Sequence, residues 1–323
     1  MRALVKQTVT FVERYRLWER GASLVVAVSG GADSLALLDV LVQLKQKYDL
    51  TLRVAHVNYH MRGIDADRDE HMVRTLAKRY QIPCSVLHAR KHPSDANLEA
   101  RLRDIRYRFF ERVRARSGAE AIVTAHTLND QAETVLLHVL RGTGERGMHG
   151  ILPMNERLAR PFLMVRHRQT TEYCRRYGIT FGEDRTNADI SFTRNRIRHR
   201  LIPYLQRFFK TDIEAILARQ AEVTALDWAE REYLYNFFVQ HAEWIGSTTV
   251  TKQQWRRLLP IERALWVQVQ LRLLHTGFSF AQTQELLKVL DQPSWKSFSG
   301  YIGGLKVLLE NDTLSLTVSA SEK

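Results

Sequence analysis

A single stretch near the amino terminus, 24–34, restricts the possible folds more than any other part of the sequence. It begins with a continuous apolar run, Leu24-Val25-Val26-Ala27-Val28, which is typical of a strand buried on both faces. Leucines at helical spacing follow it, and two glycines separate the two patterns. The stretch therefore predicts a buried parallel strand, a tight glycine turn and the first turns of a helix.

The turn itself, Ser29-Gly30-Gly31-Ala32-Asp33-Ser34, has the composition of an anion-binding loop. Glycines let backbone N–H groups approach a phosphate, and the dipole of the following helix favours negative charge there. Ser29 and Ser34 add hydroxyl donors, whereas Asp33 would repel a phosphate unless a magnesium ion lies between them. The pattern GxxxxGKS/T is absent, so this is not a Walker-type loop. An ordinary strand-to-helix turn is the alternative interpretation.

The same alternation of strand and helix patterns continues along the chain. Further strands are predicted over 50–57, 82–89 and 121–125, with helical spacing between them. This order favours an α/β fold with a doubly wound, mostly parallel sheet. Ligands of such sheets bind at the carboxyl ends of the strands, where His56 and His126 lie. Both histidines are therefore candidate site residues, with a purely structural role as the alternative.

Charged residues near the strand ends supply further candidates. Asp130 and Glu133 lie one turn apart near the start of a predicted helix, where the helix dipole alone would favour carboxylates. Asp33 and Asp130 both follow strands at the same edge, so the two could share a magnesium ion. Arg106 shares a helix face with a second arginine and a glutamate. An intrahelical ion pair explains that spacing at least as well as a phosphate contact does.

A basic segment, Arg194-Asn195-Arg196-Ile197-Arg198-His199-Arg200, begins another predicted helix, and the whole chain carries a net charge of +13. Such an excess of positive charge suggests a polyanionic partner, most plausibly nucleic acid. A solvated helix face is the alternative for the segment. The two cysteines, Cys84 and Cys174, are far apart, which argues against a disulfide scaffold or a metal cluster and fits a reducing cytoplasm.

The length of 323 residues and the hydrophobic content of 45% predict two domains. We place the boundary so that 1–210 forms a catalytic domain and 211–323 a smaller, mainly helical domain ending in a β-hairpin. The hairpin strands are predicted over 305–309 and 314–318, and another apolar strand over 160–163. No run is long enough to span a membrane and no signal peptide is recognisable, so we expect a cytoplasmic location.

Six segments occur in an order that resembles the bacterial tRNA(Ile)-lysidine synthetases of the PP-loop ATP pyrophosphatase superfamily. They are SGGADS, HVNYHMRG, NLEARLRDIRYRFF, TAHTLNDQAETVLLHVLRGTGERG, RPFL and EDRTNADISFTRNRIRHRLIP. Three positions depart from the pattern: Thr127 and Tyr59 stand where histidine is usual, and Asn129 where aspartate is frequent.

The resemblance implies a Rossmann-like PP-loop domain and a second domain that helps dock tRNA. It also implies ATP-dependent ligation of free lysine to C2 of the wobble cytidine in an isoleucine tRNA with a CAU anticodon. The reaction would pass through an adenylated cytidine and release AMP and pyrophosphate. The predicted partners are that tRNA and free lysine, with a homodimer left open. Some family members have a further C-terminal domain, for which this chain looks too short.

The site residues follow residue by residue from the matching motifs. The resemblance assigns ATP binding to Ala27, Ser29, Gly30, Gly31, Asp33, Ser34 and His56. It assigns catalysis to Asp33, Arg106, His126, Asp130 and Glu133, with Mg²⁺ on Asp33 and Asp130. It assigns lysine or the tRNA base to Glu133, Arg194, Arg196 and Arg198. Two other functions remain as alternatives: a tRNA 2-thiocytidine-type enzyme of the same superfamily, and a non-catalytic tRNA-binding protein with a vestigial ATP site.

Overall fold

A computed structural model of the chain describes residues 2–61, 63–89, 98–182, 193–241, 249–258, 260–273, 286–288, 290, 298–302, 305–310 and 312–318. The chain forms two compact units, Met1–Leu226 and Asp227–Lys323. In the described part of the chain, no helix combines the length and the apolar composition needed to cross a membrane.

The first unit alternates strands and helices, as the sequence patterns predict. Its strands are β1 (Ser23–Ala27), β2 (Thr51–Asn58), β3 (Cys84–His88), β4 (Ala121–Val123), β5 (Met154–Asn155) and β6 (Leu158–Ala159). Its helices are α1 (Ala3–Tyr15), α2 (Ala32–Tyr48), α3 (Ile64–Arg79), α4 (Leu98–Ser117), α5 (Leu128–Leu140), α6 (Glu145–Met148), α7 (His167–Arg176), α8 (Thr193–Arg196) and α9 (Ile202–Phe209). A π-helical turn, Ile197–Leu201, joins α8 to α9, and the division between the units falls within α10 (Ile213–His241).

The sheet of the first unit has the strand order β3-β2-β1-β4-β6-β5, and every neighbouring pair is parallel except β5–β6. Alternate residues of the central strand β1 enter different cores. Leu24 and Val26 pack with residues of α1 and α2, whereas Val25 packs with Phe109 and Phe110 of α4 on the other face. Because both faces are covered, β1 must be apolar throughout, and the doubly wound α/β prediction is confirmed.

Two local predictions differ from the structure. The chain over 160–163 was predicted as a strand, but β6 ends at Ala159 and two turns follow it. Pro161 has no N–H to donate to a neighbouring strand, and the N–H groups of Leu163 and Val165 donate to the carbonyls of Arg160 and Phe162 instead. The glycines and arginines over 141–150 predict a flexible loop that approaches backbone or phosphate, whereas the structure forms the single helical turn α6 within it.

The second unit contains a small antiparallel sheet and short helices. Its elements after α10 are β7 (Thr249–Thr251), α11 (Lys252–Arg257), α12 (Pro260–Leu273), β8 (Phe298–Ile302), β9 (Leu305–Glu310) and β10 (Thr313–Val318). The sheet order is β7-β10-β9-β8, and β9 and β10 form the predicted hairpin. Trp255 and Trp266 pack edge to face in its core, with ring centroids 5.8 Å apart. The assignment of separate catalytic and tRNA-docking domains at 210/211 stays a prediction.

Candidate active site

A cleft of about 370 Å³ opens at the carboxyl ends of β1, β2 and β4. It is lined by Ala27, Val28, Ser29, Asp33, Ser34, Val57, Tyr59, Arg106, Tyr107, Phe110, Thr124, Ala125, His126 and Asp130. The cleft thus brings the glycine loop after β1 together with the histidine and carboxylate that follow β4. This convergence is what the position of each motif after a parallel strand predicts.

The loop between β1 and α2 is shaped by its own hydroxyl groups. Ser34 Oγ donates to the carbonyl of Gly31 at 2.9 Å and lies 3.1 Å from the backbone nitrogen of Ser29, which donates to it. Gly30 has a φ of +98°, and a Cβ added there would lie 2.8 Å from Cβ of Asp69. Gly31 is the N-cap of α2 and has no side chain with which to cap the helix. The first N–H groups of α2 are therefore placed to receive an anion.

Asp33 is oriented by a helix that follows it by more than a hundred residues. The Nδ1 atom of His167 lies 2.9 and 3.0 Å from the two carboxylate oxygens of Asp33, and Thr170 Oγ1 donates to the same carboxylate. The hydrogen bond to Asp33 raises the pKa of His167 above its usual value, since the partner is an anion. His167 and Thr170 both lie in the first turn of α7, which packs against α2.

The donor set fits a magnesium ion that is shared with phosphates. Magnesium in nucleotide sites is usually held by one or two carboxylates together with phosphate oxygens and waters. Asp33 and Asp130 both line the cleft, so they can supply those carboxylates. Among the residues that the structure describes, no group of three or more His, Cys, Asp or Glu side chains is arranged to hold a metal alone.

His56 lies on the other side of the sheet from the apolar wall of the cleft. Its Nδ1 lies 2.8 Å from the carbonyl oxygen of Val28, and because a carbonyl can only accept, Nδ1 carries a proton. The side chain is only 2% exposed, and burial lowers the pKa of His56. The buried Nε2 has no hydrogen-bond partner among the described residues.

A cluster of two carboxylates and two arginines adjoins the cleft through Asp130, which belongs to both. Arg194 Nε donates to Oε2 of Glu133 at 2.8 Å, and Arg198 Nε donates to Oε1 at 2.5 Å. Their terminal nitrogens also donate to Oδ1 of Asp130, at 3.0 and 3.4 Å. Glu133 is 1% exposed, so the two guanidinium groups neutralise a buried charge. Arg196, on the same helical segment, is exposed and donates to Thr193 at 3.0 Å instead.

Burial and nearby charges shift the pKa values of His126 and Asp130. Burial lowers the pKa of His126 to about 4, so its imidazole is neutral near pH 7. Burial, the largest single cause, would raise the pKa of Asp130. The positive charges of Arg194 and Arg198 and the hydrogen bond from the backbone of Thr127 together help to outweigh it, and the pKa falls below its usual value. Nδ1 of His126 lies 2.9 Å from Thr124 Oγ1; when that hydroxyl donates, Nε2 carries the ring proton and can donate to a phosphate oxygen.

Arg106 lines the opposite wall of the cleft from α4. Its guanidinium carbon lies 5.4 Å from the ring centroid of Tyr107, and the side chain is half-buried. A permanent cation thus lines the same cleft as the glycine loop, and its contact with a phosphate stays a prediction. The structure therefore brings together Asp33, Arg106, His126 and Asp130, whereas His56 and Arg196 do not line this cleft.

Several residues of the site could not be found from the sequence patterns. His167 and Thr170 hold Asp33, and Gly182 donates its backbone N–H to the carbonyl of Gly30 at 3.0 Å. Two positions that depart from the family motif, Thr127 and Asn129, also help to hold the site together. Thr127 caps α5 through a reciprocal capping box with Asp130. Asn129 accepts from the backbone N–H of His167 at 2.9 Å, which ties the start of α7 to the start of α5.

A glycine loop after the first strand, a second site motif after the fourth strand and the 3-2-1-4 strand order define a PP-loop nucleotide-binding fold. The chain matches the family model of the PP-loop domain over residues 3–205, and it belongs to that family. Its curated relatives include the tRNA(Ile)-lysidine synthase of Caldanaerobacter subterraneus subsp. tengcongensis, 38% identical over 226 residues, which are 68% of this chain and 48% of that protein. The Geobacter sulfurreducens enzyme of the same name is 38% identical over 233 residues, 70% of this chain and 49% of that protein.

The chain spans about half the length of these curated relatives. Among solved structures, a U34-tRNA thiolase, NcsA from Methanococcus maripaludis, superposes with a TM-score of 0.57 at 14% identity. The match covers 68% of this chain and 77% of that one. At this level of identity the likeness shows a shared fold alone.

Proposed function

We propose that the chain catalyses ATP-dependent ligation of free lysine to C2 of the wobble cytidine in an isoleucine tRNA with a CAU anticodon. The observation that carries the proposal is a single cleft lined by both Asp33 of the glycine loop and the His126–Asp130 pair that follows β4. The similarity to curated tRNA(Ile)-lysidine synthases, at 35% to 38% identity, supports the choice of substrate.

In the first step, the C2 carbonyl oxygen of cytidine attacks the α-phosphate of ATP, and the bond to the β-phosphate breaks. Pyrophosphate leaves, and the base becomes adenylated at the former carbonyl oxygen. Negative charge develops on the α-phosphate and on the leaving pyrophosphate. The first N–H groups of α2 with Ser29 and Ser34 are placed to bind the pyrophosphate, and Arg106 and His126 to contact phosphate oxygens.

Magnesium, held by Asp33 and Asp130 with the phosphates, would supply a further positive charge for the leaving group. His167 and Thr170 orient the Asp33 carboxylate toward that role. His56 is buried and does not line the cleft, so its contact with the nucleotide stays a prediction; its Nδ1 donates to the carbonyl of Val28, directly before the loop.

In the second step, the ε-amine of lysine attacks C2, and AMP leaves with the former carbonyl oxygen. The amine must lose its proton to do so, because free lysine has a pKa of about 10.4. Glu133 and Asp130 form an anionic centre that can attract the ammonium group. In the structure, these two carboxylates form ion pairs with Arg194 and Arg198. Lysine binding at Glu133 therefore requires one of these arginines to move, and that arginine is then free to contact the adenylated base.

The net charge of +13 suits a tRNA partner, and the second unit is proposed to help dock it. Lysine as a substrate, a cytoplasmic location and a homodimer are part of the same proposal. The thiolation alternative is less well supported because this chain has only two cysteines, one in β3 and one in α7. A vestigial site is less well supported because the loop, Asp33 and Asp130 occur together in an open cleft.

The decisive experiment incubates the protein with ATP, labelled lysine and total bacterial tRNA, followed by nucleoside analysis. We expect labelled lysidine and tRNA-dependent release of pyrophosphate. Binding of tRNA without pyrophosphate release would indicate the non-catalytic alternative. Sulfur incorporation in a parallel incubation, with a sulfur donor in place of lysine, would indicate the thiolation enzyme. Either result would overturn the proposal.

A further inference from the structure

The helical segment 193–209 presents two faces, and the proposed chemistry uses only one of them. Arg194 and Arg198, one turn apart, contact Glu133 in the cluster that adjoins the candidate active site. Arg196 and Arg200 recur with the same spacing on another face and line a separate groove of about 950 Å³. The groove therefore lies about one helix diameter, ~10 Å, from the candidate lysine site.

The groove is strongly cationic. Arg196, Arg200 and Arg207 line it, and among the described residues no carboxylate does. A neighbouring groove of about 530 Å³ provides a contrast, since there Asp212 and Glu214 form ion pairs with Arg166. Unbalanced positive charge in a concave surface attracts a polyanion and disfavours an apolar protein partner, which would desolvate the arginines without pairing them.

Exposed aromatic rings lie along the same helix as these arginines. Tyr204, which lines the groove, stacks on Phe208 one turn later, with ring centroids 5.8 Å apart and planes inclined by 20°. The two residues are 53% and 65% exposed, so both rings remain accessible. Aromatic faces beside arginines are the usual platform for unpaired bases, because every base has a stacking face and the arginines meet the backbone.

We propose that this groove, termed the α9 groove and defined by Arg196, Arg200, Tyr204 and Arg207, binds an unpaired nucleotide of the RNA substrate beside the reacting base. The base stacks on Tyr204, and the arginines contact the phosphates on either side. This inference rests on the proposed function and adds to it a subsite for single-stranded RNA. It explains why the chain alternates arginines between the two faces of one helix.

The test uses two probes: a fluorescent RNA hairpin whose loop carries CAU, and a blunt duplex of the same stem sequence. We expect Tyr204→Ala to weaken hairpin binding about tenfold and leave duplex binding unchanged, because only the loop offers an unstacked base. Tyr204→Trp keeps an aromatic face and should restore binding. Loss of charge in Arg200→Gln/Arg207→Gln should reduce the log–log salt slope for the hairpin by about 1 to 2.

A matched control removes the same charge elsewhere. Arg112 and Arg116 are exposed at the carboxyl end of α4, which leads into the amino end of β4 and so lies at the edge of the sheet opposite the site. Arg112→Gln/Arg116→Gln should leave the salt slope for the hairpin nearly unchanged. An equal loss of slope in both double variants would overturn the proposal, because the charge would then act without a defined groove.

Three other outcomes would also overturn it. Tyr204→Ala could leave hairpin binding unchanged, or weaken hairpin and duplex equally. Sedimentation could show a wild-type dimer that Tyr204→Ala dissociates with no change in RNA affinity, which would make the groove a self-association surface.

Lysidine formation by the wild-type protein is measured alongside. If lysidine forms while Tyr204→Ala binds the hairpin normally, the nucleotide-binding role of the α9 groove is wrong and the proposed function stands. If it is absent while hairpin binding depends on Tyr204, the groove stands and the proposed function fails.

Discussion

The Nδ1 atom of His167 lies 2.9 and 3.0 Å from the two carboxylate oxygens of Asp33, so the first turn of α7 orients the acidic residue of the glycine loop. Asp33 keeps 26% of its side chain exposed toward the cleft, whereas its direction is set by a partner 134 residues away. The orientation of the acidic residue in the loop after β1 thus depends on a helix that occurs much later in the chain.

Asp33→Asn tests the role of that carboxylate. The substitution preserves shape but removes the charge that a cation between protein and phosphate requires. We expect tRNA-dependent pyrophosphate release to be abolished, with the melting temperature and tRNA affinity nearly intact. Two substitutions of its partner, His167, form a matched pair. His167→Gln should keep more activity than His167→Ala, because the amide can still donate a hydrogen bond to the Asp33 carboxylate. Near-wild-type pyrophosphate release from folded Asp33→Asn protein would contradict the assignment.

Gly30→Ala tests the backbone of the loop. Gly30 has a φ of +98°, and its added Cβ would lie 2.8 Å from Cβ of Asp69. We expect a loss of about 1–3 kcal/mol in the free energy of unfolding, measured with urea, together with weaker ATP binding. Gly31→Ala is the control, since among the described residues that Cβ meets only Ser29 Oγ, at 3.7 Å. Its unfolding free energy should change by less than about 0.5 kcal/mol. Equal effects at the two positions would show that steric strain at Gly30 is not the cause.

Glu133→Gln should separate the two chemical steps. The substitution removes the charge that holds Arg194 and Arg198 and that could attract the ammonium group of lysine. We expect lysidine formation to fall about tenfold or more, and adenylation to fall less. Saturating lysine should rescue part of the loss, which it cannot do for Asp33→Asn. The measurements are adenylated tRNA trapped without lysine and lysidine formed across a lysine titration. A common factor at every lysine concentration would place Glu133 outside the lysine site.

His56 makes stability depend on pH in a predictable direction. Burial lowers the pKa of His56 in the folded state, whereas the unfolded chain protonates near a pKa of about 6.5. The contribution of neutral, buried His56 to the free energy of unfolding is therefore complete above about pH 6.5. It is lost as the pH falls below that value, since the unfolded state then binds more protons than the folded state. Between about pH 7 and pH 5, His56→Asn should reduce the slope of unfolding free energy by up to about 1.4 kcal/mol per pH unit. Parallel curves for the two proteins would refute this origin.

Much of the fold follows from local sequence patterns. The apolar run 24–28 must be covered on both faces, and the structure buries it between α2 on one side and α4 on the other. The placement of His126 and Asp130 after β4 follows in the same way, because parallel strands end at one edge. Residues i and i+4 on a helix lie on one face, so the spacing of Arg194 and Arg198 allows both to reach one carboxylate, but the sequence pattern did not separate them from Arg196.

The sequence by itself determined the strand–loop–helix at Ser29, the parallel sheet and the edge at which the site lies, because these depend on periodicity over a few residues. Only the tertiary structure decided that His167 holds Asp33, that Arg196 faces away from Glu133, and that 160–163 turns instead of extending the sheet. Those outcomes depend on how α7 packs against α2 and on which face of the segment 193–209 packs against α5. Such contacts join residues distant in the chain, and no local pattern records which of several equivalent side chains will meet its partner.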